Sequence, residues 1–159
     1  MAEVHLIVGY MGFGKTTLAK RLAEQLPAVR LTHDDFMRSL FGWNLPEEQF
    51  RLYQEKVSDL IWKIAAEIIR CGGNVVLDYG FWTRKQRRDA FERARKLTPD
   101  VVFDNVSCDF DTAKARVLKR TAEDDEALYI DENCFDKFKT DFEPLTPDEG
   151  YRIVSHDGC

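Results

Sequence analysis

The stretch Gly9-Tyr10-Met11-Gly12-Phe13-Gly14-Lys15-Thr16 constrains this chain more than any other, because it matches the pattern G-x-x-x-x-G-K-[ST]. A short apolar run, Val4 to Val8, precedes it, and Lys15 to Leu26 follows with apolar residues at helical spacing. Strand, glycine turn and helix in that order make a phosphate cradle. The glycines let the backbone curl until its N–H groups converge, and the helix adds the positive end of its dipole. Gly9, Gly12, Phe13, Gly14, Lys15, Thr16 and Thr17 are therefore the expected nucleotide-binding residues. Lys15 is placed to reach the β- and γ-phosphates, and the Thr16 hydroxyl to hold Mg²⁺.

The rest of the chain alternates strand and helix, which argues for a parallel α/β sheet. Further strands are expected at Val29 to Leu31, Val75 to Leu77, Val101 to Val106 and Tyr151 to Val154. Phe50, Tyr53, Val57, Leu60, Ile61, Ile64 and Ile68 recur at steps of three and four, so a long amphipathic helix runs up to Gly72-Gly73. Shorter helices fit Thr83 to Leu97 and Thr112 to Thr121, and Thr32-His33-Asp34-Asp35 offers N-cap chemistry for another. The polar, poorly periodic segment from Ala122 to Ile130 reads as a loop, part of a small lid over about 116–130. No repeat or linker interrupts the 159 residues, which fits a single domain over 1–159.

Composition narrows the partners. A formal net charge of −5 weighs against a long nucleic acid. No apolar run is long enough to span a bilayer, and the first residues lack the basic and apolar regions of a signal peptide. Cys71, Cys108, Cys134 and Cys159 are widely spread, form no C-x-x-C pair, and read as free thiols of a cytoplasmic protein.

Four more groups carry chemistry. Val75-Val76-Leu77 is an apolar strand that runs into Asp78, the position of a carboxylate beside Mg²⁺ in phosphate-loop enzymes. Asp34, with Asp35 beside it, follows the second strand; ligands bind beyond the carboxyl ends of parallel strands, so Asp34 is placed to orient or deprotonate an acceptor hydroxyl. Arg116 and Arg120 lie four apart, on one helical face before the lid, where an arginine can stabilise the charge on a transferring phosphate. Arg84, Arg87 and Arg88 begin a helix, where cations oppose the dipole, so either a substrate phosphate or nearby carboxylates must compensate them. Tyr79, Phe81 and Trp82, with Arg38, complete the residues that could line an acceptor pocket, although Phe81-Trp82 also suits the core. The acidic run Glu123-Asp124-Asp125-Glu126 in the lid would draw a cationic acceptor such as an amino sugar, or is simply a solvated loop.

On these motifs the chain resembles small ATP-binding kinases of the AAA-domain and zeta-toxin-like group, related to chloramphenicol phosphotransferase and phage-type polynucleotide kinase. The matching pieces run from His5 to about Ile153. They are the phosphate loop, Leu31 to Met37, Leu77 to Arg84 with Arg87, Arg116 to Arg120, Phe142-Glu143-Pro144 and Asp148-Glu149. The resemblance implies a nucleotide-kinase-like fold with a five-stranded parallel sheet flanked by helices. It also implies ATP with Mg²⁺ as cofactors, Asp34 as acceptor-side base, Asp78 as organiser of the site, and lid arginines at Arg116 or Arg120. One departure stands out. Polynucleotide kinases carry an arginine three residues after that aspartate, whereas here Met37 fills the position and Arg38 follows. One residue on a helix turns a side chain by about 100°.

The expected activity is transfer of the γ-phosphate of ATP to a hydroxyl of a small-molecule acceptor. A 5′-hydroxyl polynucleotide or nucleoside kinase is the alternative enzyme, and a nucleotide-dependent switch the alternative outside catalysis. Neither [NT]-K-x-D nor a D-x-x-G after Asp78 is present, which weighs against a guanine-nucleotide switch. Acceptor identity and oligomeric state leave no mark in the sequence.

Overall fold

The computed structural model describes residues 1–125 and 127–159. Strands β1 (Val4–Val8), β2 (Ala28–Thr32), β3 (Asn74–Gly80), β4 (Val101–Ser107) and β5 (Ile153–Asp157) form one all-parallel sheet in the order β2-β3-β1-β4-β5. Parallel neighbours need long crossovers, and helices supply them. They are α1 (Lys15–Gln25), α2 (His33–Phe41), α3 (Glu47–Arg70), α4 (Arg84–Arg95), α5 (Phe110–Glu123) and α6 (Glu132–Lys139).

Helices cover both faces of the sheet. On one, Leu6, Val8, Val75, Leu77 and Phe103 pack with Val57, Ile61 and Ala65 of α3 and Ala90 and Ala94 of α4. On the other, Ile7, Val76 and Val106 meet Leu18, Ala19 and Leu22 of α1, Ala113 and Val117 of α5, and Phe135 of α6. Alternate residues of a strand thus enter opposite cores, so the inner strands read as continuous apolar runs. Two elements differ from expectation. Strand β3 continues past Asp78 to Gly80, and α6 was not expected, because Phe135 is its one buried residue and no periodicity shows. Thr32 does stand at the N-cap of α2, but its hydroxyl accepts from Arg30 instead of from the helix.

The cysteine expectation is corrected. Cys108 and Cys159 form a disulfide, with their Cα atoms 5.1 Å apart, while Cys71 and Cys134 are free. The parallel pairing of β4 with β5 sets Ser107 against Asp157, so the residues just beyond both strands meet despite 51 positions between them.

The basic start of α4 is also resolved. The Arg87 side chain is fully enclosed, and its guanidinium donates to both carboxylate oxygens of Glu149 (2.8 and 2.7 Å) and to the carbonyls of Phe81, Trp82 and Glu143. Arg84 pairs with Asp148 at 2.9 Å. Of the two partners left open by the sequence, the structure supplies the carboxylates. Arg87→Met leaves the Glu149 carboxylate buried without its partner. A loss of about 3–5 kcal/mol in urea unfolding is expected, against near-neutral Lys85→Met at an exposed pair.

A second buried polar group crosses the sheet on the α1 side. Asp104 of β4 bridges His5 Nδ1 of β1 (2.7 Å) and His156 Nε2 of β5 (2.8 Å). Burial alone would lower the His5 pKa, but Asp104, helped by Glu3, outweighs it and holds the imidazole above its ordinary 6.5. A raised folded-state value means that this stabilisation is fully present below pH 6.5 and is lost as pH rises through the folded pKa. Thermal melts are expected to show this decline in the native chain and a flatter profile in His5→Asn; equal slopes would overturn the assignment.

Candidate active site

The carboxyl ends of β1, β2 and β3 open into a cavity of about 730 Å³. The loop after β1 walls one side. Its Gly12 and Gly14 have φ of +75° and +93°, a left-handed backbone that favours glycine. Gly12 also packs directly on α5, where a Cβ would lie 2.4 Å from the Ala113 carbonyl oxygen. Tyr10, a variable position of the motif, is fully buried; its ring stacks on Trp82 at 5.1 Å and its hydroxyl donates to the Phe135 carbonyl. Phe13 likewise turns its ring into this aromatic cluster, leaving its backbone toward the cavity side.

Helix α1 starts with Gly14 at its N-cap, no side-chain cap and no acid in its first turn. Its first N–H groups are therefore open to an anion. Lys15, Lys20, Arg21, Arg116 and Arg120 line the same cavity, so the donor set suits a polyphosphate. The Lys15 ammonium donates to the Tyr10 carbonyl at 3.0 Å. Burial pushes its pKa down against the pull of Asp78 and Asp34, and Arg120 adds to the fall. Asp78 is pushed up by burial and by Asp34, against the opposing pull of Lys15 and Arg30 and a hydrogen bond from Thr16. The Thr16 hydroxyl and the Asp78 carboxylate are hard oxygen donors side by side, which suits Mg²⁺.

Helix α2 contributes another wall of this cavity. His33 and Met37 are buried four residues apart, which turns Asp34, Asp35 and Arg38 toward the cavity. Arg38 thus lines it even though Met37 occupies the motif position. A second cavity of about 370 Å³ adjoins the first, sharing Asp34 and Tyr79 in its lining. Tyr79 stacks on Phe81 at 5.1 Å, and Phe81 lines this second space from a strained φ of +42°. Trp82, Arg84 and Arg87 line neither cavity. Trp82 instead supports the phosphate loop, its indole N–H donating to the Gly9 carbonyl at 3.2 Å.

The two lid arginines separate. Arg116 gives Nη1 to the carbonyls of Gly12 (3.2 Å) and Gly158 (2.7 Å), whereas Arg120 lines the cavity and its charge acts on Lys15. Beyond α5 the described residues 124–125 and 127–131 are irregular, and the N–H and carbonyl of Ile130 bond the Thr121 hydroxyl. Of its acidic run, Glu126 lies outside the described residues; Asp124 lines the cavity.

Sequence reasoning missed Arg30 and the segment His156 to Gly158. Arg30 ties the site together, pairing with Asp35 at 3.1 Å and Asp78 at 3.3 Å. A single polar residue in a short strand gives little signal beyond its place near a carboxyl end. His156, Asp157 and Gly158 line the cavity only because β5 lies next to β4.

The model of the AAA domain matches residues 4–145, most of the chain. The chain belongs to the AAA-domain family. Shikimate kinase of Caldicellulosiruptor bescii is 32% identical over 80 residues, 46% of this chain and 46% of that kinase, so the match spans less than half of the relative. Two solved structures share the fold. A gluconokinase from Sinorhizobium meliloti superposes with a TM-score of 0.66 at 16% identity, over 99% of this chain and 83% of that one. Kti12 of Chaetomium thermophilum, in complex with ADP-AlF3, gives 0.74 at 13%, over 97% and 88%. The five-stranded parallel sheet flanked by helices is thus the kinase-like P-loop architecture of this AAA-domain chain.

Gly12→Ala tests how tightly the loop is built. The substitution combines a left-handed φ with the Ala113 contact, whereas Gly42→Ala, at φ +68° with no neighbour within 4 Å, carries the backbone strain alone. Urea unfolding is expected to cost about 1–3 kcal/mol more in Gly12→Ala than in the Gly42 control; equal costs would show the contact to be slack.

Proposed function

We propose that this chain is an ATP- and Mg²⁺-dependent phosphotransferase that moves the γ-phosphate onto a hydroxyl of a small-molecule acceptor. One observation carries the reading: Lys15, Asp78 and Asp34 line one basic cavity, and Asp34 also lines the second cavity that adjoins it. A phosphate donor and a hydroxyl acceptor held in those two spaces would meet at Asp34. The names of its similar proteins, shikimate kinase and gluconokinase, are those of small-molecule kinases and support the same class.

In this mechanism the phosphate loop and the start of α1 bind the polyphosphate, and Lys15 reaches its β- and γ-phosphates. Thr16 and Asp78 would hold Mg²⁺, which neutralises charge on the phosphates. Asp34 orients the acceptor hydroxyl. The acceptor oxygen forms a bond to the γ-phosphorus as the bond to the β-bridging oxygen breaks; ADP leaves and the hydroxyl proton passes to Asp34. Arg120 stabilises charge on the transferring group, and Arg116 acts as a positioning residue through the Gly12 carbonyl. Asp35, Arg38, Tyr79 and Phe81 line the acceptor side. No helix among the described residues is long and apolar enough to cross a membrane.

A second reading, phosphorylation of a nucleoside or a 5′-hydroxyl oligonucleotide, draws on Arg38, which lines the cavity beside Asp34 and Asp35 and could hold an acceptor phosphate. The net charge of −5 opposes a long polyanion.

ATP consumption against pooled sugars, amino sugars, nucleosides and 5′-hydroxyl oligonucleotides tests both. Asp34→Asn is expected to lose about 10²–10⁴-fold in turnover while keeping its affinity for ATP, and Lys15→Ala to lose turnover altogether. Undiminished turnover in Asp34→Asn sinks the base assignment. Steeply salt-dependent turnover of the oligonucleotide pool alone would favour the second reading.

A further inference from the structure

We propose that the Cys108–Cys159 disulfide is a thiol–disulfide exchange site for a dithiol, and that its redox state sets how firmly the phosphate loop is held. The effect on nucleotide rests on the phosphate-binding reading above; the exchange site itself does not.

The bond is reachable and its two sulfurs are unequal. Cys159 is exposed and Cys108 half-buried. Arg116 Nη1 lies 3.8 Å from the Cys108 sulfur, and a carboxylate oxygen of Asp109 lies 3.3 Å from the Cys159 sulfur. A guanidinium favours a thiolate and a carboxylate disfavours one, so Cys108 is the better leaving group. Attack therefore falls on the exposed Cys159 sulfur. The incoming thiolate forms a mixed disulfide with Cys159 and releases Cys108 as thiolate beside Arg116. The second thiol of the dithiol, once deprotonated, displaces Cys159. Two electrons and two protons pass from the dithiol, which becomes a disulfide, and both cysteines end as thiols.

The bond also closes a small knot against the loop. Between Asp157, the last residue of β5, and Cys159 stands Gly158, whose N–H donates to the Ser107 carbonyl at 2.8 Å. Its carbonyl accepts from Arg116 Nη1, the same nitrogen that reaches the Gly12 carbonyl. Gly158 sits so close that a Cβ would lie 1.9 Å from the Phe13 carbonyl oxygen, and it lines the cavity itself. Gly12, Phe13, Gly158 and Arg116 thus share one contact region, and the disulfide pins its far end. Reduction frees Gly158 and Cys159 from that pin and leaves Arg116 beside a free Cys108 thiol that can move away from it. Both changes loosen the loop at Gly12 and Phe13.

Three measurements on the full chain decide it. Thiol titration in denaturant should find two thiols after equilibration with oxidised glutathione and four after dithiothreitol. Hydrogen exchange at residues 12–14 and 157–159 should be faster in the reduced form. ATP, followed by tryptophan fluorescence, should bind about fivefold more weakly to the reduced form. Cys159→Ser should match that form whether or not dithiothreitol is present. Four thiols under oxidising conditions would overturn the proposal. So would identical exchange and ATP affinity in the two forms, or a Cys159→Ser protein that still responds to dithiothreitol. If exchange changes as expected but neither form binds ATP better than Lys15→Ala does, the exchange site stands and the nucleotide reading fails.

Discussion

All five residues of β1 are buried, with Leu6 and Val8 in one core and Ile7 in the other, so a slip of one position would send His5 into a wholly apolar face. That register decides where the phosphate loop begins. Gly9 is then clamped from both sides: its N–H donates to the Gly80 carbonyl of β3, its carbonyl accepts from Trp82, and a Cβ would strike Val106 of β4 at 2.8 Å. Even the variable positions of the loop are committed, since Tyr10 and Phe13 fill the aromatic cluster beneath it. The loop is rigid because the sheet centre is rigid, and a rigid cradle needs little reorganisation to meet a charged ligand.

Two cations, Arg87 buried and Lys15 half-buried, show how scaffold and site differ. Arg87 has its guanidinium spread over one carboxylate and three carbonyls, so its charge is compensated and its place is structural. Lys15 has one carbonyl, with Asp78 and Asp34 acting on it through space, and burial drives its pKa down. A half-buried ammonium this thinly compensated at a cavity wall has unmet demand for negative charge, which a phosphate would supply. The same contrast separates two arginines of that cavity lining: Arg116 is committed to two carbonyls, whereas Arg120 acts on Lys15.

Much of this was legible in the order of residues. The alternation of apolar runs and helical stretches marks every strand to within a few residues, since burial on both faces leaves a continuous apolar signature. The phosphate loop is a local device whose spacing is its geometry, and the aspartates at the ends of β2 and β3 follow from where parallel strands present ligands. Helix α6 escaped because one buried phenylalanine makes no period, and Arg30 because one polar residue in a strand makes no pattern.

What the sequence alone determined, then, are the features set within about ten neighbouring residues: the strand, turn and helix of the loop, the parallel α/β class and the acids at strand ends. Tertiary structure decided what depends on which strands lie side by side. Placing β5 against β4 joined Cys108 to Cys159, brought Gly158 onto the loop and set His156 on Asp104. Docking residues 143–149 against α4 gave Arg87 and Arg84 their carboxylate partners. These contacts join positions about 50 or more residues apart, and no local spacing encodes them; only the sheet order and the packing of the crossovers bring them together.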